Sequence, residues 1–353
     1  MEIRFLRLMF ISVLCMSVVA CDKDEDAVEP FACMGTFVLN NGNWGDNDAN
    51  IGVYDPQTGT YTPDMFYVVN SRHLGDLAQD IISLGDDVYI AVSGSRTIFV
   101  TDRQLRVKKQ LNVEENGARL SPRCFATDGV NVYVSYYEGF VGRISHDDYS
   151  VSLVPVGPNP EGLAVAGDNL YVADSGGMSY PVYNNTLSVV SLTRFERIGT
   201  VEVNTNPAKV MASSDGSSVY VFSYGDYAAY PSMIQVLDVA SGLLSDLSYT
   251  AVSSVAKGKD DILYVLCAGY DDDWNPLPGT IFMHDMTADR KEGNFITDGT
   301  LLPAAYSISV PADGYVYVGC SDYMSTGDVY VFTQDGRLYD RFDSQGLNPI
   351  KVY

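Results

Sequence analysis

One short phrase, an aromatic ring usually flanked by aliphatic or β-branched residues, recurs seven times along the 353-residue chain and restricts its fold more than any other feature. It reads Thr36-Phe37-Val38, Val88-Tyr89-Ile90, Val132-Tyr133-Val134, Leu170-Tyr171-Val172, Val219-Tyr220-Val221, Leu263-Tyr264-Val265 and Val316-Tyr317-Val318. The central rings stand 52, 44, 38, 49, 44 and 53 residues apart, about 47 on average, which is the length of one four-stranded propeller blade. A tight Gly/Asp turn usually precedes the phrase, as in Gly85-Asp86-Asp87, Gly167-Asp168-Asn169 and Asp215-Gly216, and such turns are hairpin signals. Upstream lies another short apolar run, often opened by proline, as at Pro122, Pro160, Pro207 and Pro303. Downstream, a third run ends in an Asp-containing turn, as at Val53-Tyr54-Asp55 and Val236-Leu237-Asp238, and a more polar fourth run completes the unit. Apolar patterning of helical period is confined to the first twenty or so residues. The repeat therefore predicts an all-β fold: a seven-bladed β-propeller of four-stranded blades over residues 35–353.

The two ends of that segment predict how the ring closes. Asn348-Pro349-Ile350-Lys351-Val352-Tyr353 matches an innermost strand but has no blade after it, whereas the first blade begins at its second strand near Gly35. The C-terminal strand is expected to complete blade 1, which shuts the ring and removes exposed strand edges.

The N-terminal segment reads as an address. Arg4 and Arg7 precede an apolar stretch from Leu8, and Val18-Val19-Ala20-Cys21 has the form of a lipobox, so residues 1–20 are expected to be a cleaved lipoprotein signal peptide and Cys21 the lipidated residue. Residues 21–34, with Asp22, Asp24, Glu25, Asp26 and Glu29, form an acidic tether with little to pack. Membrane contact is expected only through the lipid. The cysteines that follow Cys21, namely Cys33, Cys124, Cys267 and Cys320, show neither metal nor disulfide spacing.

Charge excludes whole classes of partner. With 22 Lys+Arg against 45 Asp+Glu and a formal net charge of −23, the chain lacks the cationic surface that neutralises phosphates, which rules against nucleic acid or an anionic membrane surface as partner. A neutral or cationic cargo fits this balance better than an anionic one.

The strand order sends alternate connections to opposite faces. Connections between first and second strands, and between third and fourth, are short turns, whereas those between second and third are mostly long: 40–50, 135–140, 174–186, 223–233, 268–280 and 321–328. These long loops carry both tryptophans and many of the 25 tyrosines. Aromatic, Gly- and Asn-rich loops on a rigid scaffold have the composition of a recognition surface. The predicted ligand-binding set is Trp44, Tyr137, Tyr180, Tyr183, Tyr227, Tyr230, Tyr270, Trp274 and Tyr323, joined by Arg72, His73, Arg119 and Asn159 from the connections between blades on the same face.

Catalytic signals are weak. The three histidines, His73, His146 and His284, lie in no HExxH, GxSxG or P-loop motif. No catalytic residue is assigned, and no cofactor is required. Asp46-Asn47-Asp48-Ala49-Asn50 resembles the first half of a calcium loop, yet the glycine falls one place late and the distal Glu is missing. Asp46, Asp48 and Asn50 are thus weak calcium candidates.

Taken together, the proline-opened inner strands, the Val-Tyr-Val second strands and the turn-closed third strands resemble those of the YncE-like seven-bladed β-propellers, which include surface lipoproteins of Bacteroidota. Within them the chain is most similar to the BtuG-type lipoproteins. That resemblance implies an outer-membrane lipoprotein facing the cell exterior. It would capture a corrinoid (cobalamin, vitamin B12) as bound ligand and pass it to a TonB-dependent outer-membrane transporter of the BtuB type. The aromatic face alone is equally compatible with a glycan-binding surface lipoprotein, and a propeller lyase or hydrolase would require His73 or a carboxylate pair at the channel mouth.

Overall fold

The computed structural model describes residues 35–271 and 275–353. The expected signal peptide, Cys21, the acidic tether and Trp274 lie outside the described residues.

Seven four-stranded antiparallel sheets follow one another around a ring. The innermost strands of blades 2 to 7 are Ala78–Leu84, Pro122–Thr127, Pro160–Ala166, Pro207–Ala212, Val252–Lys257 and Ala305–Ser309. Blade 1 takes its innermost strand, Pro349–Val352, from the other end of the chain and pairs it with Thr36–Asn40, in the register Val38 to Val352 and Leu39 to Lys351. The expected closure is therefore the observed one.

The repeated phrase occupies the second strand of every blade, and strand geometry explains its composition. Successive side chains point to opposite faces of a sheet, and both faces of a propeller blade are covered by neighbours. The central aromatic fills the gap toward the next blade, while its flanking aliphatic residues fill the gap toward the previous one. Tyr133 packs with Leu163 and Val172 of blade 4, whereas Val132 and Val134 pack with Tyr89 and Val100 of blade 2. The same division holds for Tyr171, Tyr220, Tyr264 and Tyr317. The core is thus seven separate apolar clusters, one in each gap between blades. Burying each such side chain contributes about 1.5–3 kcal/mol.

One inter-blade connection carries a helix. Between blades 1 and 2 the chain forms a short helix, Met65–Asn70, capped at its start by the Asp64 carboxylate, which accepts from the Tyr67 amide at 3.4 Å. Phe66 inserts against Phe99 of blade 2 at 5.1 Å between ring centroids. Asn70 fastens the helix by donating to the Leu105 carbonyl and accepting from the Val107 amide.

Candidate functional site

The face with the long loops is held to the inner strands by a bond repeated in all seven blades. The amide of the residue after each second strand donates to the carbonyl of the residue just before that blade's inner strand: Ser93 to Leu77, Tyr137 to Ser121, Ser175 to Asn159, Tyr224 to Asn206, Ala268 to Ala251, Ser321 to Ala304 and Asn41 to Asn348. Six of the seven acceptors have positive φ, between 46° and 58°, Ser121 being the exception. Asparagine tolerates that conformation better than most residues, which accounts for the three Asn-Pro pairs that open inner strands.

Inside this clamp the inner strands leave an axial channel with a volume of about 1080 Å³. Its wall carries charge. Arg123 of blade 3 and Glu161 of blade 4 form a two-point ion pair, at 3.0 and 2.7 Å, with the Arg123 guanidinium 4.7 Å from the centre of the Tyr137 ring. Lys351 of blade 1 pairs with Asp80 of blade 2, whose other oxygen accepts from the Phe125 amide of blade 3 at 2.7 Å. Lys209 of blade 5 donates to Ser254 Oγ at 2.9 Å and to the Val255 carbonyl at 3.3 Å. Burial brings the Lys209 amine down to about 8, because the protein around it solvates the ammonium poorly. The same burial pushes the Cys124 thiol and the Tyr224 and Tyr306 hydroxyls far up.

Tyrosines ring the mouth. Tyr137, Tyr183, Tyr224, Tyr227 and Tyr306 line the cavity. Tyr180, Tyr183, Tyr227 and Tyr224 form a chain of rings with centroid spacings of 6.1, 6.3 and 6.4 Å, and Tyr306 meets Tyr323 edge-on at 5.5 Å. Beside the mouth, Tyr183 and Tyr230 line a second recess of about 520 Å³ between the loops of blades 4 and 5. Of the eighteen exposed large apolar side chains among the described residues, eleven lie on the loops of this face. That bias makes it the surface with apolar contact area to offer a ligand.

The structure divides the predicted ligand set. Tyr137, Tyr183 and Tyr227 line the channel mouth, Tyr230 lines the adjoining recess, and Tyr180 and Tyr323 extend the aromatic chain outward. Tyr270 and Trp44 are exposed on the same face, without lining the channel. Arg72 and His73 are elsewhere. Arg72 lies 4.7 Å over the Phe99 ring and reaches Gln110 at 3.4 Å, while His73 packs on Tyr67 of the short helix at 4.8 Å. Both therefore occupy the outer seam between blades 1 and 2, because the connection detours through the helix. Arg119 sits on a two-stranded hairpin, Glu114–Glu115 with Ala118–Arg119, and faces Glu114 at 3.4 Å. Asn159 is consumed by the scaffold: its side chain donates to the Tyr137 carbonyl and accepts from the Met178 amide.

The expected loop 135–140 is shorter than its sequence suggests. The flanking strands run to Tyr136 and restart at Phe140, so only residues 137–139 form the turn, and Tyr136 is a core residue. Two of the calcium candidates already hold hydrogen bonds: Asp48 Oδ1 accepts from the Asn43 amide at 2.9 Å and Asn50 Oδ1 from the Asn40 side-chain amide at 2.8 Å. No group of three or more His, Cys, Asp or Glu suited to a metal occurs among the described residues. No histidine lines the channel. His146 faces Asp87 and Tyr89, and His284 is buried between Tyr249 and Asp289.

Sequence reasoning missed Arg123, Glu161, Lys209, Lys351 and Tyr306. The available signal was their position one or two residues after the start of an inner strand, where a register shift interrupts the ladder to the second strand in each of these blades.

No family model matches the chain, and no curated protein matches it. Solved structures do: 1267 chains match, so the likeness identifies a widely used architecture. Kuenenia stuttgartiensis hydrazine synthase superposes with a TM-score of 0.59 over 72% of this chain and 76% of that one, at 18% identity. At that identity the likeness supports the propeller fold alone.

Proposed function

We propose that the protein is a non-enzymatic capture protein of the YncE-like, BtuG-type class, which holds a corrinoid on the tyrosine-ringed face. The observation that carries this reading is the mouth itself: five tyrosines converge on a wide cavity, and the exposed apolar surface concentrates around it. A corrinoid is broad, with a flat ring and a fringe of amides. Aromatic planes and phenolic hydroxyls suit both parts. Tyrosine supplies this contact area with few rotatable bonds, so little conformational entropy is lost on binding.

The same reading has Cys21 lipidated, the protein anchored in the outer membrane facing the exterior, and a TonB-dependent transporter of the BtuB type as recipient. Its support is the lipobox together with the resemblance of the repeat. The test is a calorimetric titration of the purified protein with cyanocobalamin, beside the Tyr183→Ala and Tyr227→Ala variants. Saturable binding that weakens at least tenfold in both variants is expected. Absence of both binding heat and tryptophan quenching overturns the corrinoid assignment, and a glycan panel then becomes the deciding experiment.

A further inference from the structure

The protein as a whole is strongly acidic, but its channel is not. Five cations (Arg103, Arg123, Lys209, Lys257 and Lys351) and three carboxylates (Asp80, Glu161 and Asp313) line the wall. Four of the cations have carboxylate partners: Arg103 has Asp86 at 3.5 Å, Arg123 has Glu161 at 2.7 Å, Lys257 has Asp261 at 2.7 Å, and Lys351 has Asp80. The Asp313 carboxylate is taken up by the hydroxyls of Thr36 and Tyr317, both at 2.7 Å. Lys209 is the cation left over. Its hydrogen bonds run to two neutral acceptors, Ser254 Oγ and the Val255 carbonyl, and no carboxylate among the described residues lies within ion-pair distance.

An ammonium has three N–H groups, so one of Lys209's remains for a ligand. A positive charge enclosed by protein costs several kcal/mol unless an opposite charge joins it. Lys351 adds to the positive field at this place, while Asp80 is already committed to Lys351. The net charge of −23 acts weakly here, because in physiological salt surface charges are screened over about 8 Å.

We propose that the channel at Lys209 is a binding site for a small oxyanion, a carboxylate or phosphate group, whose oxygen accepts the third Lys209 N–H and neutralises its charge. The cavity holding Lys209 is continuous with the mouth at Tyr137, Tyr183 and Tyr227, which gives the anion a route in. The site uses different side chains and the opposite charge preference from the neutral-ligand face above it, and it does not depend on the corrinoid reading.

The experiment is calorimetric titration of the purified protein at pH 7 in low chloride, with inorganic phosphate in one arm and acetate in the other, so that the two sources of the anionic group are told apart. Saturable binding of at least one is expected, weakened at least tenfold in Lys209→Met and largely kept in Lys209→Arg. The acetate arm is repeated at pH 9.5 on the unaltered protein, which remains informative should Lys209→Met fail to fold. The groups facing Lys209 are Asp80, Cys124 and Lys351, with the Arg123–Glu161 pair on the same wall. The Cys124 thiol stays protonated across this range and Lys209 sheds its proton, so affinity is expected to fall at least fivefold. No saturable binding of either anion, unchanged affinity in a folded Lys209→Met, or unchanged acetate affinity at pH 9.5 overturns the proposal. Neither titration contains a corrinoid, so this outcome is separate from any failure of corrinoid binding.

Discussion

Arg123 of blade 3 meets Glu161 of blade 4 side-on across the channel wall, Nε to Oε2 at 3.0 Å and Nη2 to Oε1 at 2.7 Å. Both side chains are less than one-fifth exposed, and the pair ties together two blades that also meet through apolar packing and through Arg143, whose guanidinium lies 4.5 Å over the Phe195 ring. Removing one partner from such a pair strands the other charge. Glu161→Gln is therefore expected to destabilise the protein by about 3 kcal/mol, the low end for a buried pair because channel water screens it. The double variant Arg123→Met with Glu161→Leu is expected to lose less than the sum of the single changes. A double-mutant cycle from urea unfolding measures this, and additive losses would show that the two groups act independently.

A second carboxylate gives a pH signature. Asp174, at the end of the second strand of blade 4, is fully buried and accepts from the Gly157 amide at 3.0 Å and from the hydroxyls of Thr186 and Ser188 at 3.1 and 2.7 Å. Burial outweighs these bonds and raises its pKa from 3.8 to about 6. The folded state thus holds the Asp174 proton more tightly than the unfolded state. Its contribution is fully present below about pH 4 and is lost as pH rises through 6, by at most about 3 kcal/mol. Asp174→Asn is expected to flatten the stability profile between pH 4 and 6 relative to the unaltered protein. Parallel slopes in thermal melts over that window would count against the assignment.

How far the chain could be read in advance follows from what each feature depends on. The blades were legible because a strand buried on both faces must alternate, so the ring of Tyr133 and the methyls of Val132 and Val134 each have a required side. The long-loop face was legible because loop length and strand order together assign faces. The channel wall was not, since Arg123, Glu161, Lys209 and Lys351 come from four different blades and meet only when the ring closes. Arg72 and His73 were misplaced because the connection that carries them passes through a helix whose short apolar run gave no periodic signal. The overall charge did not show the wall either: it sums the whole chain, whereas five cations and three carboxylates line the channel.

Within blade 3, Tyr136 presents a simpler case. Its ring is fully buried, and its hydroxyl has no hydrogen-bond partner among the described residues. A buried hydroxyl left unpaired costs about 1–3 kcal/mol of lost solvation. Tyr136→Phe keeps the ring and removes that cost, so a gain in stability of about 1 kcal/mol is expected. Equilibrium unfolding decides it: a loss of comparable size would mean that the hydroxyl is satisfied in solution.

The last strand offers the strongest test of how the ring is held. Phe37 and Tyr353 exchange both backbone hydrogen bonds, at 2.8 and 2.9 Å. The Pro349 carbonyl accepts from Ser307 Oγ of blade 7 at 2.6 Å, and the Tyr353 hydroxyl accepts from the Ser83 amide of blade 2 at 2.8 Å. Five residues therefore bind three blades at once. Ending the chain at Asn348 would uncover Val38 and leave the inner edge of Thr36–Asn40 unpaired. An open edge loses its ladder and invites pairing with other chains. The shortened protein is expected to melt at least about 5 °C lower and over a broader range, because each kcal/mol lost moves a domain of this size by about 1.5 °C and the lost strand contributes several. A peptide of residues 345–353 added in trans is expected to restore part of the shift in a concentration-dependent way, since it binds the folded ring alone. An unchanged melting curve for the shortened chain would mean that the seam between blades 7 and 1 is held by the apolar cluster around Tyr54 and Tyr317 without the strand.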